Sequence, residues 1–320
     1  MEKNSNKSKI LAYAAIIAVI FIWGVIPTVK KALIGEHFSS AVYTYMTTFA
    51  GALSLLAIFA KNLKKITLDY FAVAFPTGLV VGVAAILQAI AYKFDASPTN
   101  QAFLENLSCL VVPVLLFIIL KKKPSALTVA ACAVCLAASF VLTGMLSSGL
   151  SFSTADILNA IAGILYGINI AITGIYAKKF DAPMYVMLQL FVQSGISVAA
   201  ALSFNQISIN GSIIDHVVFT PSLPLILAVV GIGILTNSVC WTMRTSAMKY
   251  VSANVVAVIM PFSAVVTGVV SVALGMDKLS WTLIVGAVLG LVAGLMSGVA
   301  DTLEEKKEGA KSCALKDKEE

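Results

Sequence analysis

Ten long apolar stretches constrain this chain more than any other feature. A helix that crosses a bilayer needs about 20 consecutive, mostly apolar residues, and a helix also satisfies its own backbone hydrogen bonds in lipid. The longest connection between stretches, about 205–221, is polar and contains the turn dipeptide Asn210-Gly211. The sequence therefore predicts an all-α membrane protein with ten transmembrane helices, at approximately 10–29, 40–60, 70–91, 98–120, 125–145, 155–176, 183–204, 222–243, 251–273 and 279–299.

The composition argues against soluble classes of protein. Of the 320 residues, 59% are hydrophobic and 12% are charged, whereas soluble chains carry about 25% charged residues. A soluble chain of this length could not bury so much apolar surface, because much of its area stays in water. A cytosolic enzyme, a nucleic-acid binder and a secreted disulfide scaffold are therefore all disfavoured.

The basic residues predict which side of the membrane each loop occupies. Short loops that carry Lys and Arg lie mostly on the cytoplasmic side. With the N-terminus inside, 18 of the 22 basic residues fall in cytoplasmic segments, and only Lys30, Lys31, Lys93 and Lys278 fall outside. Both termini are therefore predicted to be cytoplasmic. The formal net charge of +6 then reflects topology and contact with anionic lipid.

The two halves of the chain resemble each other. Lys93-Phe94 and Lys249-Tyr250 each precede an apolar helix that ends in a charged hinge. Trp23-Gly24 in the first helix has Tyr166-Gly167 as its counterpart in the sixth. Because each copy holds five spans, the second copy enters the membrane from the opposite side; the alternative is an accidental likeness between apolar helices. The prediction is two inverted five-helix repeats, a common build for secondary transporters, with a cytoplasmic N-terminus at 1–9, repeats at 10–146 and 154–300, and a disordered cytoplasmic tail at 301–320.

Three segments carry a resemblance to a known family. They read FIWGVIPTVKKAL at 21–33, SPTNQAFLENLSCLVVPVLLFIILKKKPS at 97–125 and SAMKYVSANVVAVIMPFSAVVTGVVSVALGMDKLS at 246–280. These segments are similar to the first, fourth and ninth helices of the EamA-like transporters in the drug/metabolite transporter superfamily. The resemblance covers essentially residues 9–300. It implies a ten-helix carrier of small metabolites, often an exporter of amino acids or related compounds.

The resemblance has one departure, at the ends of the fourth and ninth helices. Members of the family typically have Leu-Gly-Glu at one of these places. This chain has Leu120-Lys121-Lys122 and Leu274-Gly275-Met276-Asp277 instead. The difference concerns the subfamily and substrate more than the fold.

Glu105 is the one clear ionisable residue inside a predicted span. It lies about 10 Å along the fourth helix, at 1.5 Å per residue. A strongly charged residue at the centre of a membrane helix costs about 2.5–3.5 kcal/mol on insertion scales. The functional interpretation is a carboxylate that couples transport to a proton or cation, or that pairs with a substrate amine. The alternative is a Glu in a wet outer vestibule, or one that pairs with Lys93.

Polar and aromatic residues in mid-helix are candidates for a substrate cavity, because unpaired polar groups in hydrocarbon are costly. For the Asn and Gln residues the alternative is hydrogen bonding between helices, worth about 0.6 kcal/mol on average. For Trp23 the alternative is packing against lipid. The predicted cavity residues are Trp23, Gln88, Glu105, Asn106, Asn169, Asn237 and Asn254.

Four aromatic or basic residues near helix ends are predicted to lie at the membrane interfaces or in a vestibule. Trp241 is assigned to the inner aromatic belt. Arg244 is assigned to a cytoplasmic anchor, with bidentate binding of an anionic substrate as the alternative. Lys30 and Lys31 lie at the outer end of the first helix, where a vestibule role and snorkelling to the interface are both open.

The sequence contains no pattern typical of catalysis, metal binding or a cofactor. Cys132-x-x-Cys135 lies in an apolar helix without a nearby His, which favours a packing role. A Gly-rich phosphate loop is absent from the sequence. We therefore expect a non-enzymatic secondary transporter, multi-pass in the cytoplasmic membrane. Its partners would be a small-molecule substrate and the bilayer, without nucleic acid and with a homo-oligomer left open. The alternatives are a channel or a non-transporting scaffold and, further behind, a membrane-embedded enzyme.

Overall fold

The structure is a computed structural model that describes residues 2–34, 37–94, 96–121, 123–142, 153–204, 208–209, 212–213, 219 and 222–316. Almost all of these residues are helical. The α-helices are α1 Glu2–Leu33, α2 Ser40–Phe59, α3 Leu68–Ala91, α4 Pro98–Leu104, α5 Ser108–Leu120, α6 Ala126–Leu142, α7 Thr154–Tyr176, α8 Ala182–Phe204, α9 Leu223–Gly233, α10 Trp241–Ala247, α11 Ala253–Ile259, α12 Phe262–Ala273 and α13 Trp281–Lys316.

Shorter elements extend or join these helices. Three 3-10 helices run over Ala60–Lys65, Tyr92–Phe94 and Glu105–Leu107, and a π-helix over Ile234–Cys240 joins α9 to α10. Two short antiparallel strands, β1 Ser208–Ile209 and β2 Ser212–Ile213, pair between α8 and α9. The predicted turn at Asn210-Gly211 lies outside the described residues.

Eight helical segments of the described chain are long and apolar enough to cross a membrane, and each overlaps one of the predicted stretches. The two remaining stretches, 125–145 and 279–299, overlap the shorter apolar segments Ala126–Ala138 and Ile284–Ala300. Large apolar side chains such as Phe21 and Leu227 are exposed on the outer surface of the helices, as contact with lipid requires. The eight segments are Lys7–Leu33, Ser40–Lys65, Leu68–Phe94, Pro98–Leu120, Thr154–Tyr176, Ala182–Ser203, Leu223–Ala247 and Ala253–Ala273.

Two of the spans are interrupted at matching depth. The 3-10 helix Glu105–Leu107 separates α4 from α5, and Met260-Pro261 separates α11 from α12. The Oγ of Ser97 accepts a hydrogen bond from the Asn100 amide at the start of α4, and Ser252 caps α11 in the same way. Each span therefore begins with a serine cap and breaks about two turns later.

The helices of the first half pack mainly on helices of the second. α1 packs on α12, α5 on α7, α2 on α8 and α6 on α13, while α3 lies against both α7 and α8. A further link joins α4 to the turn after α12, where the Asp277 carboxylate accepts hydrogen bonds from the hydroxyls of Ser97 and Thr99. The core of the protein is therefore the interface between its halves.

Glycines allow the closest of these contacts. A Cβ at Gly24 on α1 would overlap Val266 and lie 2.8 Å from the Ser263 carbonyl oxygen on α12. A Cβ at Gly167 on α7 would lie 2.7 Å from the Val111 Cβ on α5. Both distances are too short for a real Cβ, so each helix pair requires a residue without a side chain at this point.

The predicted disorder of the tail is wrong for residues 301–316, because α13 continues as a helix to Lys316. The tail is rich in Glu, Lys, Ala and Leu, all of which have high helix propensity. It also extends an existing helix, so it does not incur the cost of nucleation. Residues 317–320 lie outside the described part of the chain. At the other end, the predicted 1–9 segment is helical from Glu2.

Candidate functional site

A cavity of about 140 Å³ lies at the interface between the two halves. Its walls come from α1 to α5 in the first half. In the second half they come from α7, α8, the π-helix, α10, the Met260-Pro261 break and α12. Among the described residues, its charged lining residues are Lys30, Glu105 and Arg244. The cavity therefore brings together charged groups from helices that are far apart in sequence.

Glu105 belongs to a short hydrogen-bond chain across the cavity wall. The Gln88 Nε2 donates to the Glu105 Oε2 at 3.0 Å, and the Tyr166 hydroxyl donates to the Gln88 Oε1 at 3.1 Å. A Cβ at Gly163 would lie 3.0 Å from the Glu105 Cα, so the glycine lets α7 support the backbone at the helix break. Lys30 also acts on Glu105 electrostatically. The carboxylate is thus held in place by groups from α1, α3 and α7.

Arg244 lies against two tryptophan rings in another part of the wall. Its guanidinium carbon is 4.3 Å from the Trp241 ring centroid and 5.5 Å from that of Trp23. The two rings are 5.9 Å apart. The Arg244 Nη2 donates to the Asn169 Oδ1 at 2.9 Å. Cation–π contacts at such distances are attractive and strengthen when water is excluded, so the guanidinium is fixed in one position.

Several buried polar atoms of the wall have no hydrogen-bond partner among the described residues. They are the Tyr43 hydroxyl, the Gln101 Oε1, the Gln193 Nε2 and the Arg244 Nε. Buried polar groups of native proteins are usually paired, because an unpaired group costs about 1–3 kcal/mol. These atoms could pair with a polar ligand in the cavity.

The π-helix over Ile234–Cys240 adds an irregular stretch of backbone to the wall. It contains Asn237, which lines the cavity, and Thr236, whose carbonyl oxygen accepts a hydrogen bond from the Trp23 Nε1 at 3.3 Å. Single π-helical turns are frequent at functional sites. Here the turn orients Asn237 toward the cavity and holds the Trp23 ring.

The structure brings together four of the predicted cavity residues, namely Trp23, Gln88, Glu105 and Asn237. Asn169 is not in the cavity wall: it is fully buried, and its Oδ1 bonds to Arg244 from behind the wall. Asn254 is also not among the lining residues, because it is near the start of α11, about 9 Å along the span from Met260. The backbone of Asn106 lies in the 3-10 helix Glu105–Leu107, and its side chain is not among the described parts of the structure.

Two predictions for helix ends are wrong. Trp241 and Arg244 are buried, with exposed fractions of 6% and 2%, and both line the cavity. Neither therefore belongs to an aromatic belt or a surface anchor. The reason is that the eighth span continues through the π-helix to Ala247, which places both residues inside it. The sequence interpretation ended this span at 243.

Tyr43 and Gln193 also line the cavity and were missed from the sequence. Both are polar side chains in apolar spans, the same signal that identified Gln88. Tyr43 lies in the first turn of α2, where an interfacial tyrosine is the ordinary expectation. Gln193 lies within α8, and the rule applied to the asparagines would have found it.

The family comparison addresses the second half of the chain. Residues 153–298 match the EamA-like transporter family. The second half of the chain is therefore similar to this family. For these residues the match confirms the resemblance drawn from the sequence, and the matched family is part of the drug/metabolite transporter superfamily. Together with the apolar spans, it identifies a multi-pass membrane protein of transporter type. The matched segment spans almost the same residues as the second predicted repeat, 154–300.

The fold is found among solved structures. Matches extend to 27 chains. One of them, described only as "Crystal structure of protein", has a TM-score of 0.69 at 15% sequence identity, and the alignment covers 94% of this chain and 99% of that one. The similarity therefore extends over both halves of the fold. No curated protein matches the sequence.

Proposed function

We propose that the protein is a secondary transporter that moves a small metabolite across the cytoplasmic membrane by alternating access. The observation that carries the proposal is the buried polar cavity between the two halves, lined by helices from both. A site between two bodies that can rock against each other can face either side in turn. The proposal makes the protein a carrier and not an enzyme.

We further propose that the transporter consists of ten helices in two inverted repeats, with α6 and α13 supplying the fifth and tenth spans. Matching features support this arrangement. Trp23-Gly24 meets α12 of the second half and Tyr166-Gly167 meets α5 of the first. The serine caps at Ser97 and Ser252 precede helix breaks at corresponding positions. Likewise, α1 pairs with α12 as α7 pairs with α5.

The helix breaks suggest how the site changes access. Interrupted membrane helices provide backbone groups and flexible points near the substrate site of many carriers. Glu105 lies at one break and Met260 at the other, and both line the cavity. Bending at these points would move α4 and α11 relative to α5 and α12. The bonds of Asp277 to Ser97 and Thr99 would have to open when that end of the cavity opens.

The substrate we propose is an amino acid or a related compound, and the direction is export. The family resemblance suggests this class, and the cavity volume of about 140 Å³ suits a small polar molecule. Glu105 is the proposed coupling group, since it can carry a proton or pair with an amine in the cavity. The driving force is a proton gradient or the substrate's own gradient.

Counterflow in proteoliposomes tests the proposal. Vesicles that contain the purified full chain and a high internal concentration of an amino acid should take up the labelled compound transiently, and uptake should saturate. Protein-free vesicles and vesicles with non-matching internal solute are the controls. Ion conductance without exchange would indicate a channel, and an absence of flux across a panel of amino acids and related metabolites would contradict transport of this class.

The orientation predicts the result of reporter fusions. A reporter joined after Glu320 should be active only if it works in the cytoplasm, since most basic residues then lie inside. The same reporter inserted beside Lys278, in the turn after α12, should give the opposite result. Activity of the Glu320 fusion only outside the cell would overturn the predicted cytoplasmic position of the C-terminus.

A further inference from the structure

We propose that Arg244 is the residue that binds the substrate's carboxylate, and that the transporter therefore selects metabolites that carry one. This inference rests on the proposed transport function and makes its substrate class more specific. It assigns an anion-binding subsite to the wall formed by Trp23, Trp241 and Arg244.

The burial of Arg244 without a direct ion pair among the described residues is the first observation. Its exposed fraction is 2%, and within the described ranges no carboxylate forms an ion pair with it. A buried charge is normally paired, because its desolvation costs several kcal/mol. Asn169, its side-chain hydrogen-bond partner, is neutral. The guanidinium thus lines the cavity without a carboxylate in direct contact with it, although Glu105 in the same cavity acts on it through space. A bound carboxylate would supply the direct partner.

The orientation of the guanidinium is the second observation. Trp241 contacts its face, and Asn169 accepts from Nη2. These contacts leave Nε buried and without a partner. Arginine binds carboxylates through parallel N–H donors in one plane. The stacking and the Asn169 bond therefore fix that plane before the substrate arrives, which lowers the entropic cost of binding.

One other unpartnered group of the cavity is also a donor that a carboxylate could accept from. The Gln193 Nε2 is a second buried donor without a partner, and Gln193 lines the cavity. Glu105 carries the opposite charge and lines the same cavity. A substrate carboxylate would be repelled by Glu105 and attracted by Arg244. Lys30 is the other cation of the wall, and it acts on Glu105 more strongly than Arg244 does. Arg244 is therefore the better position for a substrate carboxylate.

A purely structural role for Arg244 makes a different prediction, and Asn169 separates the two. The substitution Asn169→Asp replaces the amide whose oxygen accepts from the Arg244 Nη2 with a carboxylate. The new ion pair would satisfy Arg244 and keep the fold, because the two side chains have nearly the same shape. It would also neutralise the positive charge of Arg244, which attracts the substrate carboxylate. If Arg244 only holds the two tryptophans together, Asn169→Asp should not change ligand binding.

The experiment measures ligand binding to the purified full chain by thermal shift and by tryptophan fluorescence. Trp23 and Trp241 contribute to this signal beside the exposed Trp281, and only the first two lie at the proposed subsite. The probes are L-leucine and L-phenylalanine, their carboxamides, and the acids that lack the amino group, 4-methylpentanoate and 3-phenylpropanoate. The variants are Asn169→Asp and Arg244→Lys. The control is Lys179→Gln, which removes an exposed lysine that pairs with Asp69 far from the cavity wall.

We expect at least one of the carboxylate probes to bind and its carboxamide to bind at least about tenfold more weakly, as loss of a charged hydrogen bond predicts. Asn169→Asp should weaken carboxylate binding by about tenfold or more. Without ligand, the thermal midpoint of this variant should equal or exceed that of the unsubstituted protein. Arg244→Lys should weaken it similarly, because lysine lacks the planar fork. Lys179→Gln should bind as the unsubstituted chain does.

Three results would overturn the inference: no binding by any carboxylate probe, equal binding of acid and carboxamide, or undiminished binding by Asn169→Asp. Flux measurements on the same protein separate this inference from the transport proposal. Carboxylate binding without flux would leave Arg244 as the anion subsite and remove the transport function. Flux of substrates without a carboxylate would keep the transport function and remove the subsite.

Discussion

Replacing Glu105 by Gln is expected to reduce transport by about 10- to 100-fold, to near background, while the protein still folds and inserts. The substitution keeps the shape of the side chain. In the unsubstituted protein the Gln88 Nε2 donates to the Glu105 carboxylate at 3.0 Å, and the new amide oxygen can accept the same hydrogen bond. It removes the charge and the site for a proton. A charged hydrogen bond contributes about 1.5–3 kcal/mol, which corresponds to the expected factor. Initial rates of exchange in proteoliposomes measure it.

The control for this prediction is Asp69→Asn. Asp69 is an exposed carboxylate that pairs with Lys179 at 2.8 Å, and exposed pairs of this kind contribute little. This variant should transport normally. If Glu105→Gln also transports at the rate of the unsubstituted protein, both with and without a pH gradient, Glu105 has no part in the mechanism.

The substitution Gly24→Ala is expected to destabilise the protein by about 1–3 kcal/mol, the usual range for overpacking. The added methyl group would overlap Val266 and meet the Ser263 carbonyl oxygen on α12. It would also push α1 away from Thr267, whose hydroxyl donates to the Gly24 carbonyl oxygen at 2.7 Å. The contact between the halves would loosen beside the cavity. Unfolding of the purified protein in mixed micelles measures the change in free energy.

Gly195→Ala is the matched control. Gly195 is also a helical glycine, on α8, and a Cβ there has no described atom within 4 Å. Alanine has a higher helix propensity than glycine by about 1 kcal/mol, so this variant should be as stable as the unsubstituted protein or more so. Equal stability of Gly24→Ala and Gly195→Ala would mean that α1 and α12 do not pack as closely as the structure has them.

The membrane spans could be predicted from the sequence because they depend on local composition. Length and apolar content decide whether a segment crosses a bilayer, and neither requires knowledge of any other segment. The same holds for Glu105 and Gln88, which stand out because polar groups are rare in such segments. The tail was predicted less well, because its local charge suggested disorder while its attachment to α13 made helix extension favourable.

The roles of Arg244 and Trp241 were decided by tertiary structure. Both residues lie near the end of an apolar segment, and position along the chain alone suggests a surface anchor and an interfacial belt. The π-helix before them and the packing of α10 on α1 carry them into the wall beside Trp23. A hydropathy profile contains no information on which face of a helix meets another helix.

The sequence by itself therefore determined the class of protein, eight of its spans, the family resemblance and the presence of an unusual carboxylate. Only the tertiary structure decided which polar groups share one cavity, that Asn169 supports Arg244 from behind it, and that Asn254 is not part of its wall. The physical reason is that membrane insertion depends on the sum of each segment's own transfer energies. A binding site depends on pairs of side chains from distant segments, whose distances are set by how the helices pack.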